Sequence, residues 1–247
     1  MENILIIGSK DYKINLNNIL DKFQKNIRIN GSMPNGNNGT KTDILYLNNH
    51  IYDNFFLQKK GVKELNNIYK KKGYNINFFK NLVNCIKNKK YTKVLQQKES
   101  GTGKKSNTIL KKLGVNYKFS KAPRSGIQAV IHHINSYNIF VYGFSLDKKN
   151  NKHISSDTII PAPMHSEEDE HNILKDLHNK KIIDVTLCML EYNEKPILNC
   201  EELEPREETL DLLLEEFEKI EIRGDNYIKN DKYTYYEEKS LMFIIKS

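Results

Sequence analysis

The stretch of this chain best suited to proton transfer is Met164-His165-Ser166-Glu167-Glu168-Asp169-Glu170. Ser166 followed three residues later by Asp169 is a helix-capping pattern, so a helix is expected to begin at Ser166. His165 then stands just outside it, held by a rigid element. A histidine at such a junction suits general acid–base work. Glu170, one turn into the helix, is placed to hydrogen-bond the imidazole or the loop beside it. Three other readings stand next to this one. His165, Glu168, Asp169 and His171 could ligate a divalent metal. The acidic run could simply favour the helix dipole. His165 could also be a surface residue without a role.

Two further positions suit an anion. Gly8-Ser9 ends the apolar run Asn3-Ile4-Leu5-Ile6-Ile7, and Ser125-Gly126 opens a helical segment after Pro123-Arg124. Such turns aim backbone N–H groups at a phosphate, helped by the helix dipole. Each is equally readable as an ordinary turn or cap. Ser100-Gly101-Thr102-Gly103-Lys104-Lys105-Ser106 imitates a phosphate-binding P-loop, but the required earlier glycine is Lys98, and Lys105 stands where Ser or Thr is needed. A basic loop over an anionic substrate is the better reading. His153 lies in the polar loop 147–164, at the carboxyl end of a strand, where open α/β sheets place their sites.

The elements that must position these residues follow from the hydrophobic pattern. Residues 3–9, 26–30, 43–48, 91–95, 138–144 and 182–187 read as strands. Helical spacing falls at 16–23, in a Lys-rich stretch reaching Lys72, within 74–95, at 125–134 and at 166–179. Loops are expected at 31–42, and residues 96–106 read as polar and basic. Alternation of this kind predicts an α/β fold with one Rossmann-like, mostly parallel sheet and flanking helices. Residues 1–190 would form that domain. Residues 191–247 would add an acidic amphipathic helix at 204–220, carrying Leu210, Leu213, Leu214 and Phe217, and a Tyr-rich hairpin at 227–246.

With 247 residues, 38% of them hydrophobic, the chain can bury a real core, which excludes a disulfide mini-scaffold and a wholly disordered chain. No apolar run approaches the roughly 20 residues of a membrane span. The N-terminus lacks the basic region and cleavage site of a signal peptide. Cys85, Cys188 and Cys200 are odd in number and show no metal spacing, so a reducing, cytoplasmic setting is expected. The net charge of +8 is uneven: residues 1–120 hold 23 Lys and Arg against 7 Asp and Glu. That asymmetry suits an anionic partner, whether nucleic acid, the inner face of an anionic membrane or a phosphorylated ligand, or it is a solvated basic face.

Taken in order, these pieces resemble the sialyltransferase superfamily. Pro123-Arg124-Ser125-Gly126, a helix, and the strand Asn138-Ile139-Phe140-Val141-Tyr142-Gly143-Phe144 are similar to the small sialylmotif of the animal-type enzymes. His165 with Glu170 is similar to the very small motif, His-x-x-x-x-Glu, and His153 stands at the place of motif III. Ile6-Ile7-Gly8-Ser9, Arg28-Ile29-Asn30 and Thr40-Lys41-Thr42 are similar to steps of the large motif. Short bacterial lipooligosaccharide sialyltransferases carry an asparagine after their third strand, where Asn48 stands here. The resemblance covers roughly residues 3–190. The chain departs from the animal-type pattern at Ser9, where that motif has Asn, at Arg124, and in lacking the cysteines of that family's central disulfide.

The resemblance implies a GT-A-variant fold and an inverting glycosyltransferase. It would move sialic acid, or a related 2-keto sugar acid, from a CMP-sugar to a glycan or glycolipid hydroxyl. His165 would be the general base, His153 would stabilise the departing phosphate, and Glu170 would support them. Gly8, Ser9, Asn30, Asn48, Ser125, Gly126, Gly143 and Phe144 would hold the donor. A single leaving phosphate does not oblige a metal, and no Asp-x-Asp occurs in the chain, so no cofactor is expected. Contact with an anionic membrane is expected from charge alone, and no nucleic acid. The alternatives are a nucleic-acid-binding protein using the basic half and a catalytically dead CMP-binding module.

Overall fold

The computed structural model describes residues 1–10, 12–58, 63–64, 67, 76–97, 103–147 and 165–247. Six strands form the principal sheet: β1 (Glu2–Ile7), β2 (Lys25–Ile29), β3 (Ile44–Leu47), β4 (Lys93–Gln96), β5 (Tyr137–Tyr142) and β6 (Ile183–Asp184). Their order is β4-β3-β2-β1-β5-β6, and every pairing is parallel. The expected α/β architecture is therefore present. Covered on both faces, such a sheet needs continuously apolar central strands. Ile4 to Ile7 of β1 and Ile139 to Tyr142 of β5 are all buried.

The helices are α1 (Asn17–Leu20), α2 (Asn49–Tyr52), α3 (Ile76–Lys87), α4 (Lys104–Lys112), α5 (Ser125–His133), α6 (Glu167–Asn179) and α7 (Glu207–Glu216). A π-helical turn, Asp53–Leu57, follows α2. Successive crossovers carry the chain outward from β1 to β4, and the chain then returns to place β5 on the other side of β1. The winding direction reverses between β1 and β5, which is where such sheets bind ligands, outside their carboxyl ends.

Four expected elements differ in extent. The 16–23 segment holds only one helical turn, α1, and Phe23 beyond it packs on Phe140 with ring centroids 4.8 Å apart. The 182–187 strand stops at Asp184, whose carboxylate accepts from Thr186 N (2.7 Å) and starts a short 3-10 turn, Thr186–Met189. The 204–220 helix spans only Glu207–Glu216, because Ile220 belongs to a strand. In the segment expected to be polar and basic throughout, Gly103 has a φ of +73° and Lys104 opens α4. Residues 98–102 and most of the Lys-rich stretch to Lys72 lie outside the described residues.

Beyond residue 190 the chain builds a second sheet, β7 (Ile197–Asn199), β8 (Ile220–Arg223), β9 (Tyr233–Glu238) and β10 (Leu241–Lys246), in the order β7-β8-β10-β9. The hairpin expected at 227–246 is the β9–β10 pair, turning at Lys239 and Ser240, both with positive φ. α7 buries Leu210, Leu213 and Leu214 and lays its acidic edge on the basic N-terminal part, with Lys22 to Glu215 at 2.8 Å. One hydrophobic core runs through both sheets.

The loop after β2 is organised by Arg28, which is fully buried. Its guanidinium donates to four carbonyls: Lys41 (2.7 Å), Ser32 (2.9 Å), Asn38 (2.9 Å) and Gly39 (3.0 Å). Burial pulls its pKa down to about 10, so it remains charged at neutrality. A buried cation with no ion pair among the described residues, Asp21 acting only through its charge nearby, is tolerable because its donors are satisfied. Arg28→Met is expected to lower stability by about 3 kcal/mol or more, since several buried carbonyls lose their donor. Urea unfolding measures this. A midpoint within error of the parent would show that the loop does not depend on Arg28.

Candidate active site

The expected cap is present: Ser166 Oγ accepts from Asp169 N, and α6 begins at Glu167. His165 is half-buried beside it. Its Nδ1 lies 2.5 Å from the Ala122 carbonyl oxygen. A carbonyl only accepts, so Nδ1 carries a proton, and in the neutral ring the lone pair lies on Nε2. That is the tautomer a general base requires.

The loop holding His165 is itself held by Glu170. One Glu170 oxygen accepts from Arg124 N (2.8 Å), and the other from Arg124 Nε (2.6 Å). Glu167 takes Arg124 Nη1 at 3.2 Å. Glu170 is only 6% exposed. Burial raises its pKa, and the Arg124 charge and hydrogen bonds pull it back. Of the two partners proposed for Glu170 from sequence, ring or loop, its hydrogen bonds go to the loop. Arg124, seen from sequence only as a departure from a motif, is the residue that receives it.

Immediately after Arg124, α5 begins at Ser125. The cap residue makes no side-chain cap bond, because its guanidinium is turned to α6. The first N–H groups of α5 therefore receive no bond from the cap side chain and have the helix dipole behind them. Ser125 Oγ donates to Gln97 Oε1 (2.8 Å), beyond the end of β4.

Gly8, Gly126, Gly143 and Phe144 meet at the reversal point. A Cβ on Gly8 would run into the Gly143 carbonyl oxygen and the Phe144 ring, and one on Gly126 would come within 2.6 Å of that ring. Gly143 has a φ of +77°. The Phe144 ring therefore needs two glycines to seat it between the end of β1 and the start of α5. Gly8 N donates to Tyr142 O (2.7 Å), continuing the β1–β5 ladder.

On the other side of β1, Asn30 takes φ +50°, a conformation asparagine tolerates. Its Oδ1 accepts from Asn48 N (2.9 Å), and Asn48 Oδ1 accepts from Ile51 N (2.8 Å), capping α2. The ends of β2 and β3 are thereby tied together. Ser9 follows Gly8 on the same edge and is half-buried. The structure thus collects Gly8, Ser9, Asn30, Asn48, Ser125, Gly126, Gly143 and Phe144 along the carboxyl ends of β1, β2, β3 and β5. His153 lies outside the described residues.

The alternative metal set is not assembled. Asp169 accepts from Ser120 N (2.8 Å) and Oγ (2.6 Å), and among the described residues no three His, Cys, Asp or Glu side chains converge. All three cysteines are buried free thiols. The Gln97 contact with Ser125 had no sequence signal beyond a polar residue after a short strand.

No family model and no curated protein matches the chain. The fold is similar to two solved structures of a mammalian sialyltransferase, one in complex with Gal-beta-1-3GalNAc-ortho-nitrophenol. Each has a TM-score of 0.41 and 12% identity, covering 74% of this chain and 68% or 67% of the other.

Two predictions follow from the packing. Gly126→Ala is expected to lower the melting temperature, and Phe144→Leu to restore part of the loss in the double variant, as calorimetry would read. Equal melting of parent and Gly126→Ala would refute the wedge. His171, 5% exposed on α6, has its Nε2 buried without a hydrogen-bond partner among the described residues. Burial first, then the Arg124 charge, lowers its pKa to about 4. The unfolded chain, with an ordinary histidine pKa near 6.5, binds the proton in that window and the folded chain does not. Stability is therefore full above about pH 6.5 and falls as the pH drops towards 4, by about 3 kcal/mol. Denaturant titrations across pH check this, with a flatter curve expected for His171→Gln.

Proposed function

We propose that the chain is an inverting glycosyltransferase that moves sialic acid, or a related 2-keto sugar acid, from a CMP-sugar to a glycan hydroxyl. The observation that carries this reading is the unit joining His165 to the α5 N-terminus. A basic imidazole nitrogen and an uncapped helix start are both fixed to the 122–126 loop, and Glu170 pins that loop. A base for the acceptor hydroxyl and an anion seat for the leaving phosphate then keep a constant separation, which favours a reaction needing both at once.

His165 Nε2 takes the proton of the acceptor hydroxyl as the oxygen attacks the anomeric carbon. The bond to the CMP phosphate breaks on the opposite face, which inverts the configuration. Nδ1, donating to the Ala122 carbonyl, stabilises the imidazolium that forms. The α5 N–H groups, with Ser125 and Gly126, receive the charge that develops on the phosphate. Asn30, Asn48, Gly8 and Ser9 line the adjoining edge for the nucleoside. Gly143 and Phe144 shape the cradle. His153 is assigned to the leaving phosphate on the sequence resemblance alone. No step calls for a metal, and the basic N-terminal half would bring the enzyme to the cytoplasmic face of an anionic membrane bearing a glycolipid acceptor.

CMP release from CMP-sialic acid, with a panel of glycan acceptors and EDTA, tests the reading. Acceptor-dependent, EDTA-resistant turnover is expected, falling by about 10²- to 10⁴-fold in His165→Ala. CMP should stabilise both proteins equally against heat. Turnover unaffected by His165→Ala would remove the base assignment, and absence of both turnover and CMP stabilisation would remove the transferase reading.

A further inference from the structure

A pocket opens at the same carboxyl edge, on the β6 side of the reversal point. It encloses about 460 Å³, counting its open mouth. Lys10, Leu146, Met189, Leu190 and Asn199 line it, with Asp147, Glu201 and Glu202 around them. Lys10 is the unusual member. It is only 6% exposed, and its backbone N is fixed to the Gly143 carbonyl at 2.8 Å. Its ammonium lies over the Tyr12 ring, 5.0 Å from the centroid. It makes no hydrogen bond or ion pair among the described residues. The other lysine of the pocket, Lys175, is already paired with Glu202.

An ammonium withdrawn from water over a ring face, with Asp147 and Glu191 near enough to act on it but not paired with it, is costly. The cost is recovered when an anion enters the pocket. The remaining lining narrows the class of ligand. Leu146, Met189 and Leu190 offer an apolar wall for the C–H face of a sugar ring. Asn199 and the rim carboxylates can accept hydrogen bonds from hydroxyl groups. A purely anionic small molecule would make no use of Asn199 or Glu201, whereas an acidic saccharide offers a carboxylate to Lys10 and hydroxyl groups to them.

We propose that this pocket is the acceptor subsite and that Lys10 binds the carboxylate of an acceptor whose terminal sugar is already acidic. The naming of the saccharide as acceptor rests on the transferase reading; the binding of its carboxylate by Lys10 does not. Lys10 stands two residues after Gly8, so an acid bound there lies next to the donor cradle.

The test uses the full chain and binding alone. Titration calorimetry would compare 3′-sialyllactose, its carboxamide, lactose and galactose 6-phosphate on the parent, Lys10→Met and Lys10→Arg, with CMP as a separate ligand. The carboxylate form is expected to bind about tenfold or more tighter than the carboxamide. Lys10→Met should erase that preference, Lys10→Arg should keep it, and neither should alter CMP affinity. Equal binding of acid and amide to the parent overturns the proposal, whether or not the variants fold. So does an undiminished preference in Lys10→Met, or tighter binding of the sugar phosphate than of the carboxylate. If Lys10→Met weakens CMP-sialic acid but leaves CMP and sialyllactose unchanged, Lys10 serves the donor, and the acceptor assignment falls. Loss of CMP binding in the parent would count against the transferase reading while leaving the acid-against-amide comparison intact.

Discussion

Glu170 satisfies an N–H group and a guanidinium with one carboxylate, and much of the candidate site depends on that arrangement. Its two oxygens fix the backbone and side chain of Arg124, so the 122–126 loop cannot move relative to α6. The Ala122 carbonyl that sets the His165 tautomer lies in that loop, and so does the start of α5. A buried carboxylate left alone would take up a proton, and the Arg124 charge opposes this. Removing Arg124 would leave the Glu170 carboxylate buried without its cation, whereas Arg124 is partly exposed and also meets Glu167. Both Glu170 oxygens are engaged by Arg124, so under the proposed reading its part is to position the loop that holds His165.

The same logic of satisfied burial governs the other side of the sheet. Arg28 holds the loop after β2 by four carbonyls, and Asp21 holds its far end through Thr40 N (2.9 Å), Thr40 Oγ1 (2.6 Å) and Lys41 N (3.2 Å). Asn30 and Asn48 then join β2 to β3 by a side-chain bond where the ladder ends. Asparagine suits that place because it accepts the left-handed conformation and offers an acceptor three bonds from its own Cα.

Most of the parallel sheet was legible from residue type. Ile4 to Ile7 and Ile139 to Tyr142 are continuous apolar runs ending in glycine, a pattern required by burial on both faces. His165 could be placed because Ser166 marks the start of α6. The second sheet was legible only as its hairpin. β7 has three residues and β8 carries Glu221 and Arg223, so neither shows a period long enough to read. Gly8 and Gly126 were readable as turns, but not as the two sides of one slot, since the Phe144 ring between them comes from a third segment. Lys10 resembles every other lysine in a basic half, and only burial sets it apart.

β1 precedes the other strands of the principal sheet in chain order and lies inside it, between β2 and β5. Its neighbours are β2, some twenty residues away, and β5, whose register pairs Glu2 with Tyr137 and Ile7 with Tyr142. During synthesis one edge of β1 consequently stays open until more than half the chain has emerged. Such long-range parallel pairing slows folding, and an open apolar edge invites pairing with another chain. The same register that brings Gly8 against Gly143 makes this an architecture in which the site at the strand ends is among the last features to form.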